Sequence, residues 1–381
     1  MNGRDARRAG TNEASVAFEL IPYGGFGDRV RHLHVWRPAA DGKAHPPARP
    51  MILDLHGGAW THFTPAVDRF WCRRLAESGF LVASAEVRLS GEAPFPACAD
   101  DAVEAARWLR RNGASIGGDP ERLGVMGGST GGHLALLTAL HGRDPLAGDD
   151  RSLVDGVVAL WPVVDVLGRY RHVRDTTFGP LATWVADRAG ASASASVSTS
   201  GNTNDPTADR LGQLDDLRRH HPVLGDALGF LVQRMSWLAG VAPPSRATLY
   251  RQLVAAHDAA FGHGDAADAL MLAASPVRRI INGHLPDHLP PLLLVQGMHD
   301  PNISMEASRE LVETWRRAGG DAALEGHRWV GHSYGNVASR ESDRLVDRIV
   351  VAIADWWPEV PVGETPAASD AQSPAAEVAV A

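Results

Sequence analysis

In the stretch GVMGGSTGGHLALL, residues 124–137, Ser129 stands among five glycines in the order Gly127-Gly128-Ser129-Thr130-Gly131, and an apolar run follows at once. A serine set where a strand turns sharply into a helix holds a strained backbone. Its neighbours two before and two after must then be tiny, so that strand and helix can close on each other. The helix that starts there aims its N-terminal dipole and unpaired N–H groups at the hydroxyl, favouring negative charge that develops beside it. This is the setting of a serine nucleophile for acyl transfer. A glycine-rich phosphate loop, or a plain strand-to-helix turn, shares the composition, so partners elsewhere in the chain must decide.

A hydroxyl at neutral pH needs a base, and the base needs a carboxylate to orient it. In the elbow topology they follow in the order serine, acid, histidine. LLLVQGMHDPNIS ends an apolar run with Asp300, and HRWVGHSYG supplies His332 further on. His327 is the competing base. It precedes the short apolar run RWV, which reads as a strand, so His332 falls at the strand's carboxyl end, where the serine also lies. Asp165, after VVALWPVVD, is the competing acid. LHGGAW, residues 55–60, ends another strand and offers backbone N–H groups at Gly57, Gly58 and Ala59; with the N–H of Thr130 these form a candidate oxyanion hole. Trp60 and Phe63 directly follow that loop, and Trp161 ends a strand at the same edge. They are candidates for an apolar substrate lining and equally for core aromatics. The remaining histidines, including His220 and His221, show no metal-ligand spacing, and no metal is expected.

The elements that must position these residues alternate short apolar runs with helical patterns, the signature of an α/β protein with a mostly parallel sheet. Strands are predicted near 51–56, 80–87, 122–127, 154–161 and 291–296. None alternates with period two, so all are expected to be buried on both faces. Helices are predicted at 67–78, 98–113, 131–141 and 304–318. Residues 165–275 break the rhythm with helical stretches such as 222–239 and no strand. They read as a cap insertion over the carboxyl ends of the strands, where open α/β sheets bind ligands. Within the cap, 189–209 is Ser/Ala/Gly-rich and reads as a flexible loop, and 1–14 and 359–381 read as disordered arms around a core of 15–164 and 276–358.

With 381 residues, 44% of them apolar, the chain can bury one large core or two modest ones. A net charge of −8, with its 37 Lys and Arg scattered, argues against nucleic acid or an anionic membrane as partner and for a small molecule. Cys72 and Cys98 cannot make a disulfide framework and read as buried small hydrophobes. The basic N-terminus leads into no apolar segment, and no run reaches the ~18 apolar residues of a membrane span, so a soluble cytoplasmic protein is expected.

DLHGGAW, VRLSGEAPFPACADDAVEAARWL, GGDPERLGVMGGSTGGHLALL, ASPVRRI and QGMHDPNIS…GHSYG, in that order, resemble the α/β-hydrolases of the hormone-sensitive-lipase-like esterase group and its ferulate- and acetyl-esterase relatives. The resemblance covers about residues 50–165 and 270–356. It implies an eight-stranded α/β-hydrolase core, cleavage of carboxylic esters without a cofactor, Ser129 as nucleophile, Asp300 and His332 as its partners, and His56–Ala59 as the oxyanion loop. Many lipase-like members carry Asp or Glu just before the nucleophile, where this chain has Gly128, and the cap is longer than usual. Formamidases share HGG and GxSxG, which makes an arylformamidase-type amidase the nearest alternative. A non-catalytic small-molecule receptor on the same fold is the alternative of another class; such receptors lose the catalytic histidine, which is present here as His332.

Overall fold

The structure, a computed structural model, describes residues 16–27, 29–39, 48–144, 149–176, 246–328, 330–333, 336 and 339–358. The expected arms, the 189–209 loop, the 222–239 helix and the His220–His221 pair lie outside them. The strands are β1 (Val16–Phe26), β2 (Arg29–Pro38), β3 (Arg49–Leu55), β4 (Leu81–Ala85), β5 (Gly118–Gly128), β6 (Gly142–Asp144), β7 (Asp149–Ser152), β8 (Gly156–Leu160), β9 (Leu292–Gly297) and β10 (Ala322–His327). Eight of them form one sheet in the order β1-β2-β4-β3-β5-β8-β9-β10, while β6 and β7 make a separate antiparallel pair. β1 and β2 pair antiparallel, as do β2 and β4, and all further pairs in the large sheet are parallel.

The continuous apolar runs sort onto two faces residue by residue, as a pleated strand requires. Leu53, Ala83, Val125, Val157 and Leu294 face one side, over α2 (Ala97–Asn112) and α3 (Thr130–Ala139). Their neighbours Ile52, Val82, Met126, Val158 and Val295 face the other, over α1 (Arg69–Glu77) and α9 (Arg340–Trp356). α3 lies buried along its whole length, so it reads as apolar all round rather than amphipathic. α1 and α9 instead bury one stripe each, Trp71, Cys72 and Leu75 in the first and Leu345, Ile349 and Ile353 in the second. Residues 166–176 are helical (α4), followed in the described chain by α5 (Arg246–Phe261), α6 (Asp265–Ala274) and α7 (Pro276–Ile281). Val166, Tyr170, Tyr250, Phe261 and Met271 join α4, α5 and α6 to the core on the α3 side. α8 (Met305–Arg317) begins at Ser304, whose hydroxyl accepts from the Ala307 N–H at 3.1 Å.

The five predicted strands are present as β3, β4, β5, β8 and β9, and the four predicted helices as α1, α2, α3 and α8. Both ends of the sheet escape a search for continuous apolar runs. In β2 only Arg31, Leu33, Val35 and Trp36 are buried, and β1 leaves Phe18, Leu20 and Phe26 exposed, as befits half-solvated antiparallel strands. The last strand corrects the expectation at RWV: β10 is AALEGH and ends at His327, so RWV follows the strand. As an edge strand β10 needs no strongly apolar run, and its weak signal let the adjacent Trp and Val draw the assignment.

Candidate active site

At the end of β5 the backbone of Ser129 takes φ 57° and ψ −118°, a region that costs a non-glycine residue about 1–3 kcal/mol and persists only where its surroundings enforce it. They do so here. The Ser129 N–H donates to the Leu160 carbonyl at 2.9 Å, and its own carbonyl accepts from His133 N at 3.1 Å and Val163 N at 3.3 Å. A Cβ at Gly131 would lie 1.8 Å from the Leu55 carbonyl oxygen, so β3 and α3 can approach this closely only without a side chain there. At Gly128 a Cβ would meet Trp161 Nε1 at 3.2 Å. The Trp161 indole thus leaves little room for a side chain at position 128.

Three distant segments meet at the serine. His332 Nε2 lies 2.9 Å from Ser129 Oγ, and His332 Nδ1 lies 2.7 Å from Asp300 Oδ2. A carboxylate opposite Nδ1 holds the proton on that nitrogen and leaves Nε2 free to accept from the hydroxyl. Asp300 has a side chain with no solvent exposure. Its Oδ2 also accepts from Gln296 Nε2 at 3.0 Å, and its Oδ1 from the backbone N–H groups of Asn302 at 2.7 Å and Ile303 at 3.0 Å. Burial on its own would raise the Asp300 pKa, but the hydrogen bond and charge of His332 and the two backbone N–H groups outweigh it, leaving the group below the ordinary carboxylate value. The histidine loop is pinned to the acid loop by the His299 N–H, which donates to Val330 O at 3.1 Å.

The competitors are engaged elsewhere. His327 Nε2 lies 2.9 Å from Glu325 Oε1, and Asp165 caps α4, accepting from Gly168 N at 3.0 Å and Ser275 Oγ at 3.4 Å.

The Gly57–Ala59 loop lies against the elbow, since a Cβ on Gly57 would stand 2.9 Å from Gly128 O and 3.5 Å from Ser129 Cβ. Gly58 at φ 119°, then Ala59 at 53° and Trp60 at 63°, turn the chain so that the Gly58 carbonyl accepts from Thr61 N at 3.1 Å and His62 N at 3.0 Å. Among the described residues the N–H groups of Gly57, Gly58, Ala59 and Thr130 make no hydrogen bond. His56 Nδ1 donates to Gly57 O at 2.8 Å, and burial pushes the His56 pKa down to about 4, so it does this as a neutral ring. Because the peptide is planar and trans, fixing the Gly57 carbonyl one way aims the Gly58 N–H the other way.

Beneath the loop, Asp54 of β3 accepts from Ser84 Oγ and, at 3.6 Å, from the Cys72 thiol. Burial raises the Asp54 pKa to about 7, against the pull of those two donors, and burial together with the charge of Asp54 drives Asp68 up as well. Cys72 is therefore more than apolar filling. Cys98 is buried, and its thiol is pushed up to about 12 by that burial.

The three aromatic candidates part company. Trp60 is only 3% exposed; its indole N–H donates to His133 Nδ1 at 3.3 Å, and His257 and Phe261 pack edge-on to its ring at 5.1 and 5.2 Å. Trp161, 1% exposed, backs the site between Gly128 and the His332 ring, 6.3 Å away. Both are core aromatics, the second of the two places open to them in the sequence. Phe63 alone stays partly exposed, at the rim of the oxyanion loop. The sequence reading missed Gln296, Asn302 and Arg169, all within the hydrogen-bonded surroundings of Asp300. The first two flank the aspartate in QGMHDPN and were open to notice; Arg169, far off in the chain, carried no signal.

A family model described as alpha/beta hydrolase fold matches residues 52–227. Esterase LipQ of Mycobacterium tuberculosis is 36% identical over 128 residues, 33% of this chain and 29% of that protein. Carboxylesterase NlhH of the same species is 36% identical over 101 residues, 25% of this chain and 30% of the relative. The chain thus spans less than a third of the length of these curated relatives. The solved structure of a hyperthermophilic esterase from the archaeon Pyrobaculum calidifontis superposes with a TM-score of 0.58 at 23% identity, covering 89% of this chain and 85% of that one. The chain has the α/β-hydrolase fold. Its sequence matches are to proteins named as esterases and carboxylesterases. No helix among the described residues is long and apolar enough to cross a membrane.

Proposed function

We propose that the protein is a serine hydrolase of small or medium carboxylic esters with apolar or aromatic parts, working through an acyl-enzyme. The reading rests above all on the hydrogen-bonded line from Ser129 Oγ through His332 to Asp300, at 2.9 and 2.7 Å. In the first step His332 Nε2 takes the hydroxyl proton as Ser129 Oγ attacks the ester carbonyl, and Asp300 stabilises the imidazolium that forms. Negative charge moves onto the carbonyl oxygen beside the unpaired N–H groups of Gly57, Gly58, Ala59 and Thr130. Donors already fixed in place stabilise that charge without reorganising. The imidazolium then protonates the leaving alkoxide, and water activated by the same histidine frees the acid. Helices α4 to α6 form the roof of the pocket in this reading, and Phe63 lines its mouth.

A fluorophosphonate probe should label the protein once, at Ser129, and Ser129→Ala should lower kcat by roughly 10⁴-fold or more with the fold intact. Undiminished labelling of that variant would overturn the assignment. Rates on p-nitrophenyl acetate and on an N-formyl aniline, measured side by side, separate an esterase from an arylformamidase, and turnover of neither would point to a binding protein on this fold.

A further inference from the structure

Arg169, on α4, is a buried cation, and the charge that acts on it is that of Asp300. Its Nε and Nη2 both donate to Asn302 Oδ1, at 2.9 and 2.5 Å. Its Nη1 lies 3.3 Å from His257 Nε2, and its guanidinium carbon 6.0 Å from the centre of the Trp60 ring. Burial drives the His257 pKa down to about 3, and Nδ1 of that neutral ring donates to Leu253 O at 2.6 Å, which leaves Nε2 as the acceptor for Arg169. Burial lowers Arg169 itself to about 10, so it stays charged at neutral pH. A buried guanidinium carries a desolvation penalty, which apolar packing would avoid. Two of its three hydrogen bonds go to one place, the residue that follows Pro301.

Where Arg169 holds the Asn302 side chain, a second contact grips the peptide unit that carries the Asn302 N–H. Tyr250 of α5 donates its hydroxyl to Pro301 O at 2.9 Å, while the Asn302 N–H at the other side of that planar peptide donates to Asp300 Oδ1 at 2.7 Å. We propose that Arg169 and Tyr250 are positioning residues, through which α4 and α5 clamp the Pro301–Asn302 peptide so that its N–H holds Asp300 in line with His332. The clamp couples the helices over the sheet to the base without touching the reacting atoms. It rests on the assignment of Asp300 as the orienting acid.

The test uses the full chain and p-nitrophenyl acetate, with kcat expressed per Ser129 site titrated by a fluorophosphonate. Arg169→Met should lower kcat per site about tenfold with KM within about twofold, because misaiming a catalytic group by a fraction of an ångström costs rate rather than binding. Arg169→Lys should recover most of that loss, and Tyr250→Phe should lower kcat about threefold. In an Asp300→Asn background, Arg169→Met should cost less than about twofold more, since the aim it maintains is already lost. Unchanged kcat per site with a lower melting temperature would mean plain packing, and a rise in KM confined to negatively charged esters would mean a substrate anchor; either overturns the proposal. Should Arg169→Met fail to fold, an unchanged kcat in Tyr250→Phe overturns it alone. If Asp300→Asn itself left kcat near that of the parent, the acid assignment would fall, a result distinct from failure of the clamp.

Discussion

Asp300→Asn is nearly isosteric, yet the hydrogen bonds around Asp300 dictate which way the new amide must face. Two backbone donors, Asn302 N and Ile303 N, point at Oδ1, so the amide oxygen is drawn there and its NH2 takes the place of Oδ2. At that place it meets Gln296 Nε2 and His332 Nδ1. Gln296 cannot simply turn over, because its Oε1 accepts from Ser308 Oγ at 3.1 Å and its Nε2 donates to Ile303 O at 3.2 Å. His332 must therefore present an unprotonated Nδ1 to the amide and carry its proton on Nε2, facing Ser129. A protonated Nε2 cannot accept the serine proton. The expected loss is about 10⁴-fold in kcat, or roughly 5 kcal/mol of transition-state stabilisation, with KM little changed. Steady-state rates on p-nitrophenyl acetate, with circular dichroism to verify folding, measure it. A loss below about tenfold would refute the tautomer argument and reopen the place for Asp165.

Gly131→Ala puts a methyl where the Leu55 carbonyl oxygen stands 1.8 Å away, so the end of β3 and the start of α3 must part by more than about an ångström; activity should fall about 10²-fold or more, and the melting temperature should drop. Parent-like values of both would show that the close approach is dispensable. Asp54→Asn tests the buried carboxyl beneath the oxyanion loop. With a folded pKa raised to about 7, Asp54 keeps its proton in the fold while the unfolded chain loses it, so its contribution to stability falls as pH rises from the ordinary carboxylate range to about 7 and is level beyond. The variant should therefore gain in melting temperature on its parent between about pH 4 and pH 7, and thermal melts showing no such gain would refute the burial argument.

The centre of the sheet was legible because it is buried on both faces: β3, β8 and β9 carry the apolar runs MIL, VVAL and LLLV, which have no solvent-facing alternation. Its rims were not. β1 and β10 are selected for pairing and partial solvation, and hydrophobicity alone does not mark them. At the site, Ser129, Asp300 and His332 could be singled out because each stands at the end of an apolar run, in the order the topology demands. His332 was preferred to His327 on a misplaced strand, and the geometry that favours it comes from the Val330–His299 hydrogen bond instead. Trp60 and Trp161 show the converse limit. A large aromatic beside a catalytic loop looks the same in sequence whether it lines a pocket or, as here, closes the floor beneath it.

Ser129 and His332 lie 203 positions apart, and this separation gives synthesis a direction. The ribosome delivers the oxyanion loop and the elbow first, and β3, β4 and β5 can pair before anything from β9 onward exists. At that stage the serine has its strained turn but nothing to take its proton. The base arrives only after β9 has added itself beside β8, through Val157–Leu292 to Leu160–Val295, and β10 has closed the far edge. In the proposed mechanism, a chain that stalls before residue 332 is one without its base. On that reading the segment that follows the last strand of the sheet supplies what the serine lacks until then.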